Sequence, residues 1–256
     1  MNRLTALPRV AAPFEWCADG VLTWLTAEVG PARAAFTTRL GGVSEGPFES
    51  LNLGILTADD PDRVRQNRAT VAGALQRDPA RVVMGHQVHG AGIQVRVAQH
   101  GRELERADAQ VTTAAELTPL VLVADCVPLA VAAPGAVAAV HCGWRGVAAG
   151  IVSGAVATVR ELAGGADVSA AIGPGIGACC YEVGDQVIER LAARGHRAAG
   201  RALDLPAAVA SELAWSGVSD VAVAGICVSC NPELFYSHRR DGGVTGRQAG
   251  LAWLKS

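Results

Sequence analysis

Residues 117–140 are almost wholly apolar, yet Pro119, Asp125, Pro128 and Pro134 interrupt them. A helix crossing a bilayer needs about 20 predominantly apolar residues in a row, so this stretch makes no clean membrane span. The interruptions cut it into pieces of strand length. Residues 119–124 form one piece, 127–132 continue it as a strand pair, Pro134-Gly135 turns the chain, and 136–140 return. A buried run of this kind needs helices or further strands to cover it, and the rest of the chain supplies both.

Upstream, Ala34-Ala35-Phe36-Thr37-Thr38 reads as a strand entering the loop Arg39-Leu40-Gly41-Gly42. Asp60-Pro61 is a helix start, with aspartate as N-cap and proline at the first helical position. Val64, Val71 and Leu75 fall on one face before Asp78-Pro79 stops that helix. Downstream, Val147, Ile151, Ala155, Val159 and Leu162 recur at helical spacing, predicting one helix packed on the strands. A strand at 168–172, a glycine-rich loop at 173–177 and helices at 184–194 and 206–213 follow. A strand at 221–228 closes the regular pattern. Strands interleaved with helices predict an α/β or α+β fold with mixed sheets. Gly30-Pro31, Gly101-Arg102 and Gly164-Gly165 read as loops within a single domain over residues 1–256.

With 50% hydrophobic and 18% charged residues, the chain is expected to fold. The 22 basic and 24 acidic residues give a net charge of −2 without a basic stripe. Nucleic acid and membrane surfaces are therefore excluded as partners. The segment Met1-Asn2-Arg3-Leu4-Thr5-Ala6-Leu7-Pro8-Arg9 lacks an apolar core and is not read as a signal peptide. Seven cysteines without a secretory signal are read as reduced thiols or ligands in the cytoplasm.

The chemistry concentrates in three segments: Gly85-His86-Gln87-Val88-His89-Gly90, Val123-Ala124-Asp125-Cys126-Val127-Pro128 and Val140-His141-Cys142-Gly143-Trp144-Arg145-Gly146. On residue type alone, His89 and His141 also suit structural hydrogen bonds and Cys126 suits packing. Asp125 argues for more, because a carboxylate between apolar strands needs a partner. One thiolate and two imidazoles suit zinc with an open fourth position. Without His89, Cys126 and His141 would suffice for a metal-free nucleophile–base pair. If residues 87–90 are extended, His86 faces away from His89 and is not a ligand.

Arg145, ahead of the helix from Val147, and Arg39, beside two glycines, are candidate anion sites. Gly173-Pro174-Gly175-Ile176-Gly177 lacks the Lys-Ser/Thr of a phosphate loop. Cys227-Val228-Ser229-Cys230 has ligand spacing but no second pair to complete a tetrahedral site, and Cys179-Cys180 reads as packing. The zinc-deaminase signature is absent, since Ala91 stands two places after His89.

These motifs occur in order with Ser50-Leu51-Asn52-Leu53-Gly54, Arg106-Ala107-Asp108-Ala109, Tyr181-Glu182-Val183-Gly184 and Ser237-His238-Arg239-Arg240-Asp241. Together they resemble the YfiH-type family, also called the laccase-domain or multicopper polyphenol oxidase family. The resemblance implies an α/β/β/α fold like the deamidating domain of cytotoxic necrotizing factor, with zinc held by His89, Cys126 and His141. It further implies phosphorolysis of purine nucleosides (adenosine, inosine, guanosine, methylthioadenosine) and adenosine deamination, so nucleoside and phosphate are the expected partners. Asp125 and Glu182 are the candidate proton-handling residues; Arg39, Asn52 and Arg145 are the candidate substrate-binding residues. An older assignment to the family is copper-dependent phenol oxidation. A four-copper laccase needs more histidines than the six present. A mononuclear copper site with Met84 as axial ligand stays open, as does a Cys-His hydrolase or deamidase. Cys142, where alanine is common, and His238, where an aromatic is usual, depart from the family pattern.

Overall fold

Two six-stranded mixed sheets lie face to face, with helices on both outer sides. The structure is a computed structural model that describes residues 7–97 and 105–255. The Gly101-Arg102 loop and most of the Met1 to Arg9 segment lie outside the described residues.

In chain order the strands are β1 (Phe14–Asp19), β2 (Leu22–Val29), β3 (Ala32–Thr37), β4 (Val82–Val83), β5 (Ile93–Arg96) and β6 (Ala109–Thr112). They continue as β7 (Thr118–Val123), β8 (Val127–Ala133), β9 (Ala136–Cys142), β10 (Ser169–Ile172), β11 (Asp220–Val223) and β12 (Gln248–Leu254). The first sheet has the order β1-β2-β3-β12-β7-β4, the second β11-β10-β8-β9-β6-β5. The helices are α1 (Pro61–Ala74), α2 (Trp144–Ala148), α3 (Ile151–Leu162), α4 (Asp185–Ala192) and α5 (Leu205–Trp215). Among the described residues no helix is long and apolar enough to cross a membrane.

Strand alternation sorts the side chains into three layers of core. Between the sheets lie Leu25, Ala27, Ala34, Phe36, Ala130, Ala132, Ala171 and Ala252, an interface rich in alanine. Val127, Leu129, Val131, Val140 and Ile172 face the other way, onto Ile151, Val152, Val156 and Val159 of α3 and Val209 and Leu213 of α5. Outside the first sheet, Leu120, Leu251 and Trp253 meet Val71 of α1. The arrangement is therefore helix, sheet, sheet, helix, as expected.

Several elements differ from the sequence reading. Strands β7 and β8 do not continue one another: they lie in different sheets, and residues 124–126 carry the chain across. Asp125 takes φ +90° at this crossing. Its carboxylate accepts the Ser237 hydroxyl and the Arg239 backbone N–H, each at 2.6 Å, which holds the bend. The single helix expected over Val147 to Leu162 is two, broken where Gly150 adopts φ +88°, and Leu162 is 40% exposed. The strand expected at 221–228 stops at Val223. Strand β12, which the sequence reading did not contain, occupies the middle of the first sheet between β3 and β7. Asp60 caps α1 as expected, accepting the Asp62 backbone N–H.

Candidate active site and metal centre

The crossing at 124–126 brings chemistry to the seam between the sheets. Cys126 stands immediately before β8, whose first residue Val127 pairs with Cys142, while Pro128 pairs with His141. Sulfur and imidazole thus meet through the register of the β8–β9 hairpin. His89 reaches the same point from the loop between β4 and β5, and its ring lies edge-on to that of His141 at 4.8 Å. The ligating atoms of His89, Cys126 and His141 all lie within 4.8 Å of one another. His86 is not one of this group. Its backbone instead forms an isolated bridge with Arg106.

Glycine makes the convergence sterically possible. A Cβ on Gly143 would stand 3.2 Å from both Cys126 Sγ and His89 Cδ2, and one on Gly146 only 2.7 Å from the Gly90 carbonyl oxygen. The glycines of this segment are thus spacers that let α2 approach the His89 loop. Helix α2 itself has only five residues, so the long helix behind Arg145 does not begin there.

Asp108 organises both histidines and was not singled out from the sequence. It is fully buried ahead of β6. Its Oδ1 accepts the His89 backbone N–H at 2.9 Å and lies 2.7 Å from His141 Nδ1. Its Oδ2 accepts the N–H groups of Val88 (3.1 Å) and Gly90 (2.9 Å). Three consecutive amides can converge on one carboxylate because His89 adopts φ +58°, a left-handed conformation rare outside glycine. Gln87 ties the same loop to the first sheet, donating to the Leu122 carbonyl and accepting its N–H, both at 2.8 Å. With Nδ1 engaged by Asp108, His141 presents Nε2 to the cluster, the arrangement that orients a ligand imidazole.

Charge is distributed accordingly. Burial would push the Cys126 thiol up, but His141 and His89 outweigh it and bring the pKa down to about 6. Burial would depress His141, but the Cys126 thiolate and Asp108 raise it to about 9. Burial likewise opposes ionisation of Asp108, yet His141 and the loop amides hold its carboxyl below the usual range. Near neutral pH the metal-free pair is therefore thiolate and imidazolium. A soft sulfur with two imidazole nitrogens, oriented and charge-compensated in this way, fits a zinc or copper ion.

The trio borders a cavity of about 790 Å³, in the range of small-molecule sites. Arg145, Arg239 and Arg247 give it cationic walls, with Trp144, Tyr181 and His238 beside them. The Arg145 guanidinium stacks on Trp144 at 4.5 Å and that of Arg239 on Tyr181 at 5.0 Å. Met84 also borders the cavity, but its sulfur accepts from Arg68 at 3.4 Å.

Of the remaining expected site residues, Arg145 and Asp125 line the cavity, whereas Arg39, Asn52 and Glu182 do not. The Arg39 guanidinium stacks on Tyr236 and donates to the carbonyls of Glu49 and Pro232, so it knits loops together. Asn52 is fully buried and joins Thr57, Asp59, Gly54 and Arg247 through its amide. Glu182 is exposed, and its carbonyl accepts from Arg239 at 2.7 Å. Asp125 has both oxygens occupied by the 237–239 turn. Arg239 and Arg247, which bring charge to the cavity from the far C-terminal segment, were missed. The Ser237-His238-Arg239-Arg240-Asp241 run was the only sequence signal for Arg239, and Arg247 lies outside it.

Residues 33–255 match the family described as multi-copper polyphenol oxidoreductase laccase. The chain belongs to this family. Family relatives include a purine nucleoside phosphorylase of Streptomyces coelicolor, 43% identical over 88% of this chain and 97% of the relative. Another, from Geobacillus stearothermophilus, is named purine nucleoside phosphorylase YlmD and is 39% identical over 88% and 92%. The crystal structure of YlmD from Geobacillus stearothermophilus superposes with a TM-score of 0.88 at 35% identity, covering 95% of this chain and all of that one. The Bacillus licheniformis hypothetical protein YfiH superposes at 0.85 with 31% identity, over 96% and 100%.

Proposed function

We propose that this chain is a zinc-dependent purine nucleoside phosphorylase, with adenosine deamination as a side activity. One observation carries the reading: a His2Cys cluster converges at the wall of a 790 Å³ cavity that also carries three arginines. The names of the relatives supply the substrate class. His89 Nε2 or Nδ1, Cys126 Sγ and His141 Nε2 would hold the ion. When bound, zinc supplies a Lewis acid that can polarise a substrate oxygen.

In phosphorolysis, phosphate oxygen bonds to the ribose C1′ as the bond from C1′ to the purine nitrogen breaks, and the base leaves with the bonding pair. The chain's own residues have to bring an anion and a neutral nucleoside together. Arg145 and Arg239 hold the phosphate, since guanidinium groups make charge-assisted, paired contacts with it. Trp144 and Tyr181 provide flat faces beside them for the purine. Asp108 keeps His141 and the His89 loop in place, and Asp125 positions the turn that bears Arg239, so neither handles protons directly.

A second reading rests on the Asp108–His141–Cys126 chain of contacts, which has the logic of a metal-free cysteine hydrolase. Purified zinc-loaded and chelator-treated protein, assayed on inosine and adenosine with and without phosphate, separates the two. The proposal expects phosphate-dependent release of base that vanishes on chelation and returns with zinc. Arg145→Ala should raise the KM for phosphate about tenfold, the value of one charge-assisted hydrogen bond at an exposed position. Arg39→Ala should leave it unchanged. Turnover undiminished by chelation would overturn the reading, and so would equal effects of the two arginine variants on KM.

A further inference from the structure

Four of the seven cysteines come together far from the cavity trio in sequence, on two turns that spacing alone does not connect. Cys179-Cys180 reads from the sequence as packing and Cys227-Val228-Ser229-Cys230 as a pair without a partner. The fold makes each the partner of the other. The Sγ atoms of Cys179, Cys180, Cys227 and Cys230 all lie within 4.8 Å of one another. Cys230 Sγ is 3.5 Å from that of Cys179 and 3.4 Å from that of Cys180.

The sheet explains the meeting. Strands β10 and β11 run parallel and continue side by side beyond their ends, through a bridge between Gly175 and Cys227. The Gly175 N–H donates to the Ile226 carbonyl and the Val228 N–H to the Gly175 carbonyl. Each chain then bends back on itself, with the Cys180 N–H donating to the Gly177 carbonyl and the Asn231 N–H to that of Val228. The two bends face each other, thiols inward.

Simple packing does not account for this. Cys179 and Cys230 are exposed, so the group buries little apolar surface. A disulfide requires sulfurs about 2.05 Å apart, well short of the separations seen. Four thiolates around one zinc ion at about 2.3 Å, by contrast, place neighbouring sulfurs about 3.8 Å apart in a tetrahedron. The bends are also held as ligand-bearing turns are. The Gly177 N–H donates to Cys227 Sγ at 3.3 Å, the Asn231 amide to the Cys227 carbonyl at 2.8 Å, and Arg240 to the carbonyls of Val228 (3.2 Å) and Ser229 (3.5 Å).

We infer that Cys179, Cys180, Cys227 and Cys230 form a second metal centre, a closed tetrathiolate site for zinc. It has no open position and so is structural, unlike the trio at the cavity. Its effect is to fasten the turn leading to Tyr181 against the segment that Arg240 anchors next to Arg239, two cavity residues on either side.

Metal analysis of the full chain, purified under reducing conditions and dialysed against chelating resin, tests this without reference to turnover. Two zinc ions per chain are expected, falling to one in Cys126→Ala and to one in the double variant Cys227→Ser/Cys230→Ser. Cobalt loaded into Cys126→Ala should show the intense thiolate-to-metal absorption of a tetrathiolate site, absent from the double variant. Should the double variant fail to fold, the zinc content and cobalt spectrum of Cys126→Ala still decide. Metal-free Cys126→Ala overturns the inference. So does iron in place of zinc at the four thiols, or a disulfide among them in peptide maps of the native protein.

Discussion

Asp108→Asn tests whether one buried carboxylate sets the geometry of the cavity trio. Asparagine preserves the shape but replaces one acceptor oxygen with an NH2 donor. If that NH2 occupies the Oδ1 position, it faces the His89 N–H and forces His141 to accept at Nδ1, which leaves a proton on Nε2, toward the metal. If it occupies the Oδ2 position, it faces the N–H groups of Val88 and Gly90, and both of those hydrogen bonds are lost. Neither orientation satisfies all four donors. Two hydrogen bonds to a charged acceptor at about 1.5–3 kcal/mol each set an upper bound near 6 kcal/mol, and relaxation of an exposed loop leaves about 2–4 kcal/mol. The loop then loses what holds His89 at φ +58°. Replacing a residue that orients a ligand imidazole weakens metal binding about 10- to 100-fold, and we expect the upper part of that range because two ligands share this carboxylate. Zinc affinity by competition with a chromophoric chelator, alongside thermal unfolding of the chelated protein, reads both effects. Affinity within threefold of the parent, in a variant that is nonetheless destabilised, would refute the idea that Asp108 orients the ligands.

Zinc binding should release protons in a pH-dependent count. With Cys126 near 6 and His141 near 9, the metal-free pair carries one proton between those values, two below and none above. Calorimetry in buffers of different ionisation heat should therefore find about one proton released by the pair at pH 7.5, rising toward two below pH 6 and falling toward zero above pH 9. A flat profile contradicts the thiolate–imidazolium assignment. Glu212, on the buried face of α5, bonds Arg194 (2.6 and 2.8 Å) and His196 (3.0 Å), and its carboxyl lies below the usual value despite burial. A lowered folded pKa adds stability that is complete above the ordinary value of 4.5 and is lost as pH falls through the folded one. Glu212→Ala should cost about 2–3 kcal/mol at pH 7, less than a fully buried pair because Arg194 is one-third exposed. The deficit should shrink in acid. An unchanged melting temperature at pH 7 would argue against it.

The meeting of His89, Cys126 and His141 was legible because these residue types stood beside glycine, aspartate or tryptophan: Gly90 follows His89, Asp125 precedes Cys126, and Gly143-Trp144 follow His141-Cys142. Asp108 was not. Its meaning depends on amides 18 to 20 residues before it, brought up by the pairing of β5 with β6, and a ring 33 residues after it, brought up by the β6–β9 ladder. Arg39 shows the opposite error: an arginine next to glycines suits a loop-to-loop tie as well as an anion site, and the sequence does not tell them apart. Strand β12 escaped because it lacks the alternation that marks a strand with one wet face and, unlike the equally buried β8 and β9, contains no β-branched residue and carries Gly250 in its interior. The helix over Val147 to Leu162 had the right periodicity on both sides of Gly150, and periodicity does not register a break that keeps phase. Nor does spacing reveal that residues 179–180 and 227–230 meet, since parallel strands separated by two helices bring them together.

The three-residue crossing at 124–126 also fixes where this family member can change length. Both faces of β8 are buried, but they are not equivalent: Val127, Leu129 and Val131 face the helices, while Ala130 and Ala132 face the other sheet. One residue inserted at the crossing would shift β8 by one and exchange the two sets. Valine and leucine would then enter an alanine seam with no room for them, and alanines would leave holes under α3. Cys126 would move out of reach of His141 in the same step. An insertion in the Pro134-Gly135 turn lengthens an exposed tip and disturbs neither face. The hairpin tip therefore accommodates added length in this chain where the three-residue crossing does not.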